Sequence, residues 1–166
     1  MAHSRCRDHS TQQVTMTTTI TAERPDSPDA AALILELEAV LAPLYPQASR
    51  HGYSIDKLLS QGVAFFVARR ESAPAGCGGV QLFGAEYGEL KRMYVRPAFR
   101  GLGVARALLN HLAEYCRQRG VIVLRLETGI YQVEAIRLYE RFGFQRIPPF
   151  GPYHADPLSV CYEKKI

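Results

Sequence analysis

At 166 residues the chain is long enough for one domain with a real core and too short for two. Its 47% apolar and 22% charged residues are ordinary for a soluble globular protein, and no apolar run reaches the length of a membrane span. The net charge of +4 is mild, so it suits an anionic ligand but does not supply the concentrated basic face that nucleic acid would need.

Residues 1–15 are polar and aperiodic, which predicts a disordered extension, with Met16 as an alternative start and a single domain over residues 16–166. No apolar block precedes a small-residue cleavage site, so the cytoplasm is the expected location. The β-branched run Thr17–Thr21 predicts the first strand. Asp26 or Ser27 caps a helix with Pro28 in its first turn, placing Leu33, Leu37, Val40 and Leu41 on one face until Pro43 and Pro46 end it. Ser54 caps a short helix closed by Gly62.

Val63–Arg70 reads as a strand, Glu71–Gly76 as a turn-rich segment, and Cys77–Gly84 as the next strand. A hairpin around Gly84–Gly88 leads into the strand Tyr87–Val95. A long amphipathic helix follows, then Gly120, the strand Val121–Thr128, a helix over Gln132–Phe142 ended by Gly143, and a strand from Phe144. The proline-bearing loop 148–157 leads to the last strand, Ser159–Lys165. The order β-α-α-β-β-β-α-β-α-β-β predicts an α/β (mixed α+β) domain with a mixed sheet. The four cysteines, Cys6, Cys77, Cys116 and Cys161, form no CxxC pair and no Cys/His cluster at metal spacing, so reduced thiols and no metal are expected.

The most telling stretch is Glu89–Cys116: a strand, a short basic loop containing Arg100-Gly101-Leu102-Gly103-Val104-Ala105, and a helix. Glycines where a helix begins let the backbone come close to a ligand. The free N–H groups and the positive dipole end of the first turn favour an anion such as pyrophosphate. Arg100 and Arg106 add charge beside those amides. A dinucleotide fingerprint fits poorly, because the third small residue is missing and Arg96–Arg100 separates strand from glycine. A Walker A loop is absent.

The pattern Arg100-x-x-Gly103-x-Ala105 resembles the acetyl-CoA signature of the GNAT acetyltransferase superfamily. Ala135–Ile147 resembles that superfamily's helix-Tyr-x-x-x-Gly-Phe segment, in the right order and with a strand between the two. The resemblance implies a GNAT fold: a central mixed, mostly antiparallel sheet splayed between its fourth and fifth strands, with helices on both faces. It implies acetyl-CoA as co-substrate, its pantetheine arm on the backbone of Met93, Tyr94 and Val95. Its pyrophosphate would rest on Gly101, Leu102, Gly103, Val104, Ala105 and Arg106 beside Arg100. Gln132 stands where members often have an asparagine that touches the cofactor; it keeps the amide and adds a methylene.

By the same resemblance Tyr139 is the general acid for the CoA sulfur, a phenol protonated at neutral pH. Plain packing on an amphipathic helix is the alternative. Glu89 falls where several members place a general base, and a solvated strand-end charge is its alternative. Glu86 or a water chain would serve instead. The segment Leu44–Ser54 covers the acceptor site in the superfamily, which singles out Tyr45, Arg50, His51 and Tyr53. Glu127 and Thr128 at a strand end are further recognition candidates. If Arg50 and Arg92 line the pocket, the acceptor carries a carboxylate. The expected activity is transfer to the primary amine of a small molecule within a ternary complex. Protein or peptide acetylation and a non-catalytic acyl-CoA-binding module are the alternatives. Members commonly pair as homodimers through an edge strand or helix.

Overall fold

In strand β2 (Ala64–Arg70), Phe65 and Val67 pack into one buried cluster while Phe66 and Ala68 pack into another. Period-two side chains buried on both sides require a sheet covered on both faces. The computed structural model describes residues 16–166 and shows how this is met; the expected disordered extension, residues 1–15, lies outside the described residues.

The remaining elements are β1 (Thr18–Ala22), α1 (Pro28–Leu41), α2 (Ile55–Ser60), β3 (Ala73–Phe83), β4 (Tyr87–Val95), α3 (Val104–Arg117), β5 (Val123–Gly129), α4 (Val133–Phe142), β6 (Gln145–Ile147) and β7 (Ser159–Lys165). Single 3-10 turns lie at Gln47–Ser49 and Pro97–Phe99. The strands form one sheet in the order β1-β2-β3-β4-β5-β7-β6, antiparallel except between β4 and β5. Helices α1 and α2 cover one face, where Leu33, Ile34, Leu37 and Leu58 meet Phe65, Val67 and Tyr94. Helices α3 and α4 cover the other, where Leu108, Leu109, Leu112 and Tyr139 meet Val80, Leu90 and Leu126. Beyond the reach of α1 and α2, the loop 148–158 closes the first face, packing Phe150 and Tyr153 beside Tyr87 and Cys161.

The expected elements form in the expected order, with two local differences. Ala73–Gly76 belongs to β3, and the turn is confined to Glu71 and Ser72, both at positive φ (47° and 71°). Pro74 is tolerated there because the β2–β3 register shifts next to it, between Ala68 and Arg69. On α1 the buried stripe is Ala30, Leu33, Ile34 and Leu37; Val40, at its margin, is 42% exposed.

A bulge in β4 matters most for the site. Cys77 pairs with Tyr94 and Gly79 with Lys91, so Gly78 faces two residues, Arg92 and Met93. Arg92 takes a left-handed backbone conformation (φ 54°) to absorb the extra residue. Leu90, Met93 and Val95 consequently pack on the α3 side, while the consecutive residues Lys91 and Arg92 turn toward the other face. At Gly78 an added Cβ would meet the Met93 sulfur at 2.4 Å, so the position opposite the bulge has no room for a side chain.

Candidate active site

Strands β4 and β5 pair only through Gly88 with Leu124 and Glu89 with Arg125, and then part. Parallel neighbours that separate leave a gap in the sheet, with the backbone of β4 beyond Glu89 unpaired on that side. A cavity opens at this gap. Leu90, Arg92 and Met93 of β4 and Leu126, Glu127, Thr128 and Gly129 of β5 form two of its walls. Gln132 and Tyr139 enter from α4 and its N-terminus. Leu37 and Leu41 of α1, with Tyr45, Ser49, Arg50, His51 and Gly52, complete the lining.

Tyr139 is held by its own helix and by Phe144, whose ring meets it edge-on at 5.7 Å. Gly143 (φ 99°) ends α4 in the left-handed conformation and lets Phe144 N–H donate to the Tyr139 carbonyl at 3.0 Å, turning Phe144 under the ring. Burial pushes the Tyr139 phenol up from its usual value, so the hydroxyl keeps its proton throughout the neutral range. Among the described residues no protein group hydrogen-bonds that hydroxyl.

Glu127 lies near the end of β5 and also lines the cavity. The Ser159 hydroxyl donates to its Oε1 at 2.7 Å. Burial raises its pKa above the ordinary carboxylate range, against the lowering effects of the Ser159 bond, His51 and Lys91. Glu89, one strand away, is enclosed: it is 1% exposed and does not line the cavity. Lys91 Nζ donates to its Oε1 at 2.6 Å, and the Tyr153 hydroxyl donates to the same oxygen. Lys91 also sits over the Tyr53 ring at 4.0 Å, and burial lowers its pKa against the opposing pull of Glu89. Glu89 Oε2 is buried without a partner among the described residues.

The segment before α2 is pinned from several sides. Arg92 Nε donates to the Tyr53 carbonyl at 2.7 Å, and its Nη2 pairs with Glu38 of α1. Gly52 lies so close that an added Cβ would meet Arg92 Nη1 at 2.4 Å. Tyr45 accepts the Tyr131 N–H at 2.9 Å, stacks on the Tyr131 ring, and presses on Gly129. His51 meets the Tyr153 ring edge-on and lies 3.7 Å from Asp156, so the proline-bearing loop braces this segment. Tyr53, expected at the acceptor site, turns its ring to Lys57 and Lys91 and does not line the cavity.

Gly101 (φ 75°) and Gly103 (φ 81°) are both in the left-handed region, and an added Cβ at either meets nothing within 4 Å. Their role is to turn the chain, and the space above them is open. The first helical bond of α3 runs from Ala107 N–H to the Gly103 carbonyl, leaving the amides of Val104, Ala105 and Arg106 free of helical partners. The Val104 side chain is buried in the core, and Arg106 is exposed. An open, left-handed glycine turn ahead of free helix amides fits a pyrophosphate. The arginine at 100 differs from expectation in one respect: its Nε donates to the Val95 carbonyl at 3.1 Å, and Nη1 lies 3.7 Å from Glu134. The Val95 carbonyl is thus engaged, while Met93 lines the cavity and the Tyr94 ring packs into the α1-side core.

One cavity thus gathers Tyr139, Met93 and Gln132 with Tyr45, Arg50, His51, Arg92, Glu127 and Thr128; Glu89 and Tyr53 lie outside it. Sequence reading missed Glu38, Lys91, Ser159 and Tyr153. Lys91 was within reach, since it shares a strand face with Glu89 two residues before it. The other three come from sequence-distant elements.

A mixed sheet that splits between two parallel strands, with a helix N-terminus open to an anion beside the split, defines an acyl-CoA-dependent acyl transferase. The profile of the Acetyltransferase (GNAT) family matches residues 33–144, and the chain belongs to that family. It is an acetyl-CoA-dependent N-acetyltransferase. The chain is 41% identical over 149 residues to the IAA acetyltransferase of Azospirillum brasilense, spanning 89% of this chain and 97% of that one. A Klebsiella pneumoniae structure described as a candidate acyl-CoA N-acyltransferase superposes with a TM-score of 0.76 at 38% identity, covering 89% of this chain and 97% of that chain. The PaiA N-acetyltransferase of Thermoplasma acidophilum, solved in complex with coenzyme A, shares the fold (TM-score 0.71, 20% identity, 91% and 100% coverage).

Proposed function

We propose that the protein transfers the acetyl group of acetyl-CoA to the primary amine of a small molecule, with both substrates bound together. The observation that carries this reading is that one cavity at the β4–β5 gap is lined by both Tyr139 and Glu127. Its volume, about 110 Å³, favours a small acceptor over a folded protein surface.

When bound, acetyl-CoA supplies a thioester carbonyl at the gap. Met93 and Tyr94 offer backbone groups to the pantetheine arm, and the amides of 101–106 hold the pyrophosphate. Arg100 stays on Val95 or swings to the phosphates, and Gln132 offers its amide from the α4 N-cap. Glu127 takes a proton from the acceptor ammonium, leaving a neutral amine whose lone pair attacks the carbonyl carbon. The carbon–sulfur bond breaks, the Tyr139 hydroxyl gives its proton to the departing thiolate, and the surplus proton on the attacking nitrogen returns to the phenolate, leaving amide, thiol and phenol. Glu127 is preferred to Glu89 for the first step because it borders the cavity, whereas Glu89 is held by Lys91 and Tyr153.

A thiol-release assay over a panel of amines, amino acids and peptides, with both substrate concentrations varied, tests the reading. Intersecting initial-velocity lines with a small amine support it; parallel lines would indicate an acetyl-enzyme. Turnover on peptides alone would move the acceptor to proteins. Tight acetyl-CoA binding with no turnover on any acceptor would leave a regulatory acyl-CoA-binding domain.

A further inference from the structure

Arg50 lines the acceptor side of the cavity at the end of the Gln47–Ser49 turn, and its guanidinium makes only a long ion pair and no hydrogen bond among the described residues. Its nearest acid is Glu38, whose Oε2 lies 3.8 Å from Nη1, beyond hydrogen-bond length. Its Nε is buried and has no partner among the described residues. Buried N–H groups are almost always paired, and an unpaired one at the wall of a cavity calls for an acceptor from the ligand.

The neighbouring charges do not meet that need. Glu38 is held by Arg92, which also donates to the Tyr53 carbonyl and so anchors the segment that carries Arg50. His51 lies nearest Asp156, and Glu127 is hydrogen-bonded by Ser159 across the cavity. Of the two arginines lining the cavity, Arg50 is the one whose planar fork makes no hydrogen bond among the described residues, so it can take a two-point partner.

We propose that Arg50 binds a carboxylate of the acceptor, so that the substrate is an amino acid or a related small amino acid-like amine with its nitrogen toward Glu127. This rests on the acceptor-site reading above and narrows it. A zwitterion fits both ends: its carboxylate satisfies the buried Nε and one Nη of Arg50, and its ammonium faces the Glu127 carboxylate.

The test is thiol release at saturating acetyl-CoA with the free amino acids, their carboxamides, their decarboxylated amines and short peptides, on wild type, Arg50→Gln and Arg50→Lys. Loss of a charge-assisted hydrogen bond predicts that the best amino acid exceeds its carboxamide by about 10- to 100-fold in kcat/KM. Arg50→Gln should erase that advantage, chiefly by raising KM for the acid, with the carboxamide losing far less. Arg50→Lys should restore only part of it, since a lysine keeps the charge and loses the fork. Melting curves confirm that each variant is folded. Wild-type enzyme that uses a carboxamide or plain amine as well as the acid overturns the inference. So does an Arg50→Gln variant that loses both equally, or turnover confined to peptides, and these outcomes leave acetyl transfer itself standing. No transfer to any amine would fail the broader reading and this one together.

Discussion

Glu127→Gln separates a proton acceptor from a structural carboxylate, because the structure gives opposite signs for activity and stability. Glutamine keeps an oxygen for the Ser159 hydroxyl, whose bond to Glu127 is 2.7 Å, so local geometry survives. A general base typically contributes about 10²- to 10⁴-fold, and kcat/KM should fall by that factor with acetyl-CoA affinity unchanged. The folded-state pKa of Glu127 is raised by burial. Between the unfolded and folded values the native state holds the extra proton, so stability falls as pH rises through that window and stays low above it. Each pH unit between the two values corresponds to about 1.4 kcal/mol. At pH 7–8 the variant removes this cost and should melt no lower than wild type, by roughly 2–4 °C higher for each kcal/mol relieved in a domain of this size. The pH profile gives a second sign: the acidic limb of wild-type kcat/KM should lie above the pH at which an ordinary glutamate titrates, and vanish in the variant. Scanning fluorimetry and steady-state kinetics across pH 5–9 measure all three. A variant that melts several degrees lower at pH 8 while retaining wild-type kcat and the acidic limb would refute the assignment.

Tyr139→Phe keeps the ring that packs on Phe144 and removes a hydroxyl with no protein partner among the described residues. It should melt near wild type, bind acetyl-CoA equally by calorimetry, and lose about 10²-fold or more in kcat; an unchanged kcat removes Tyr139 from proton transfer. Gly103→Ala and Gly84→Ala both place a methyl at a left-handed residue with nothing within 4 Å, at about 1–2 kcal/mol each. Only Gly103 stands at the phosphate turn, so its variant alone should weaken acetyl-CoA binding, by about tenfold or more; equal Kd values would remove the cofactor from that loop. Lys91→Met leaves the buried Glu89 carboxyl without its ion-pair partner, which costs about 3–5 kcal/mol in urea titrations. Adding Glu89→Gln should recover part of that loss; strictly additive costs would deny the coupling.

The elements were readable where one local force decided them. Ser54 accepts the Lys57 N–H at 3.2 Å as a cap should, and Gly143 stops α4 where the helical pattern ends. The stretch from Ala73 to Gly76 defeated local reading: proline and small residues mark a turn, yet pairing with β2 extends the strand through them. The β4 bulge was hidden for a related reason. A strict alternation puts Leu90, Arg92 and Tyr94 on one face, and only the partner strand, with glycine at 78, reveals that β4 carries one residue more than β3 can match.

The glycine turn ahead of α3 was legible in the sequence, and the choice between Glu89 and Glu127 as the proposed base was not. The phosphate turn is a contiguous motif whose glycines are required by their own φ angles, so sequence displays it directly. The base depends on which carboxylate reaches the gap. Glu89 and Glu127 are equally plausible by position on neighbouring parallel strands. Behind the bulge, Lys91 sits on the face of Glu89, and Tyr153 arrives from the loop 148–158 to close over the pair. With Glu89 enclosed, the gap is left to Glu127, two residues beyond Arg125, where β5 has already parted from β4. Part of what encloses Glu89 is a tyrosine 64 residues away, a distance over which local pattern carries no information. The Glu127→Gln and Glu89→Gln kinetics therefore test the loop as much as the strands. If Glu127 is the base and the loop only encloses Glu89, Tyr153→Phe should leave kcat intact while Glu127→Gln lowers it by about 10²- to 10⁴-fold.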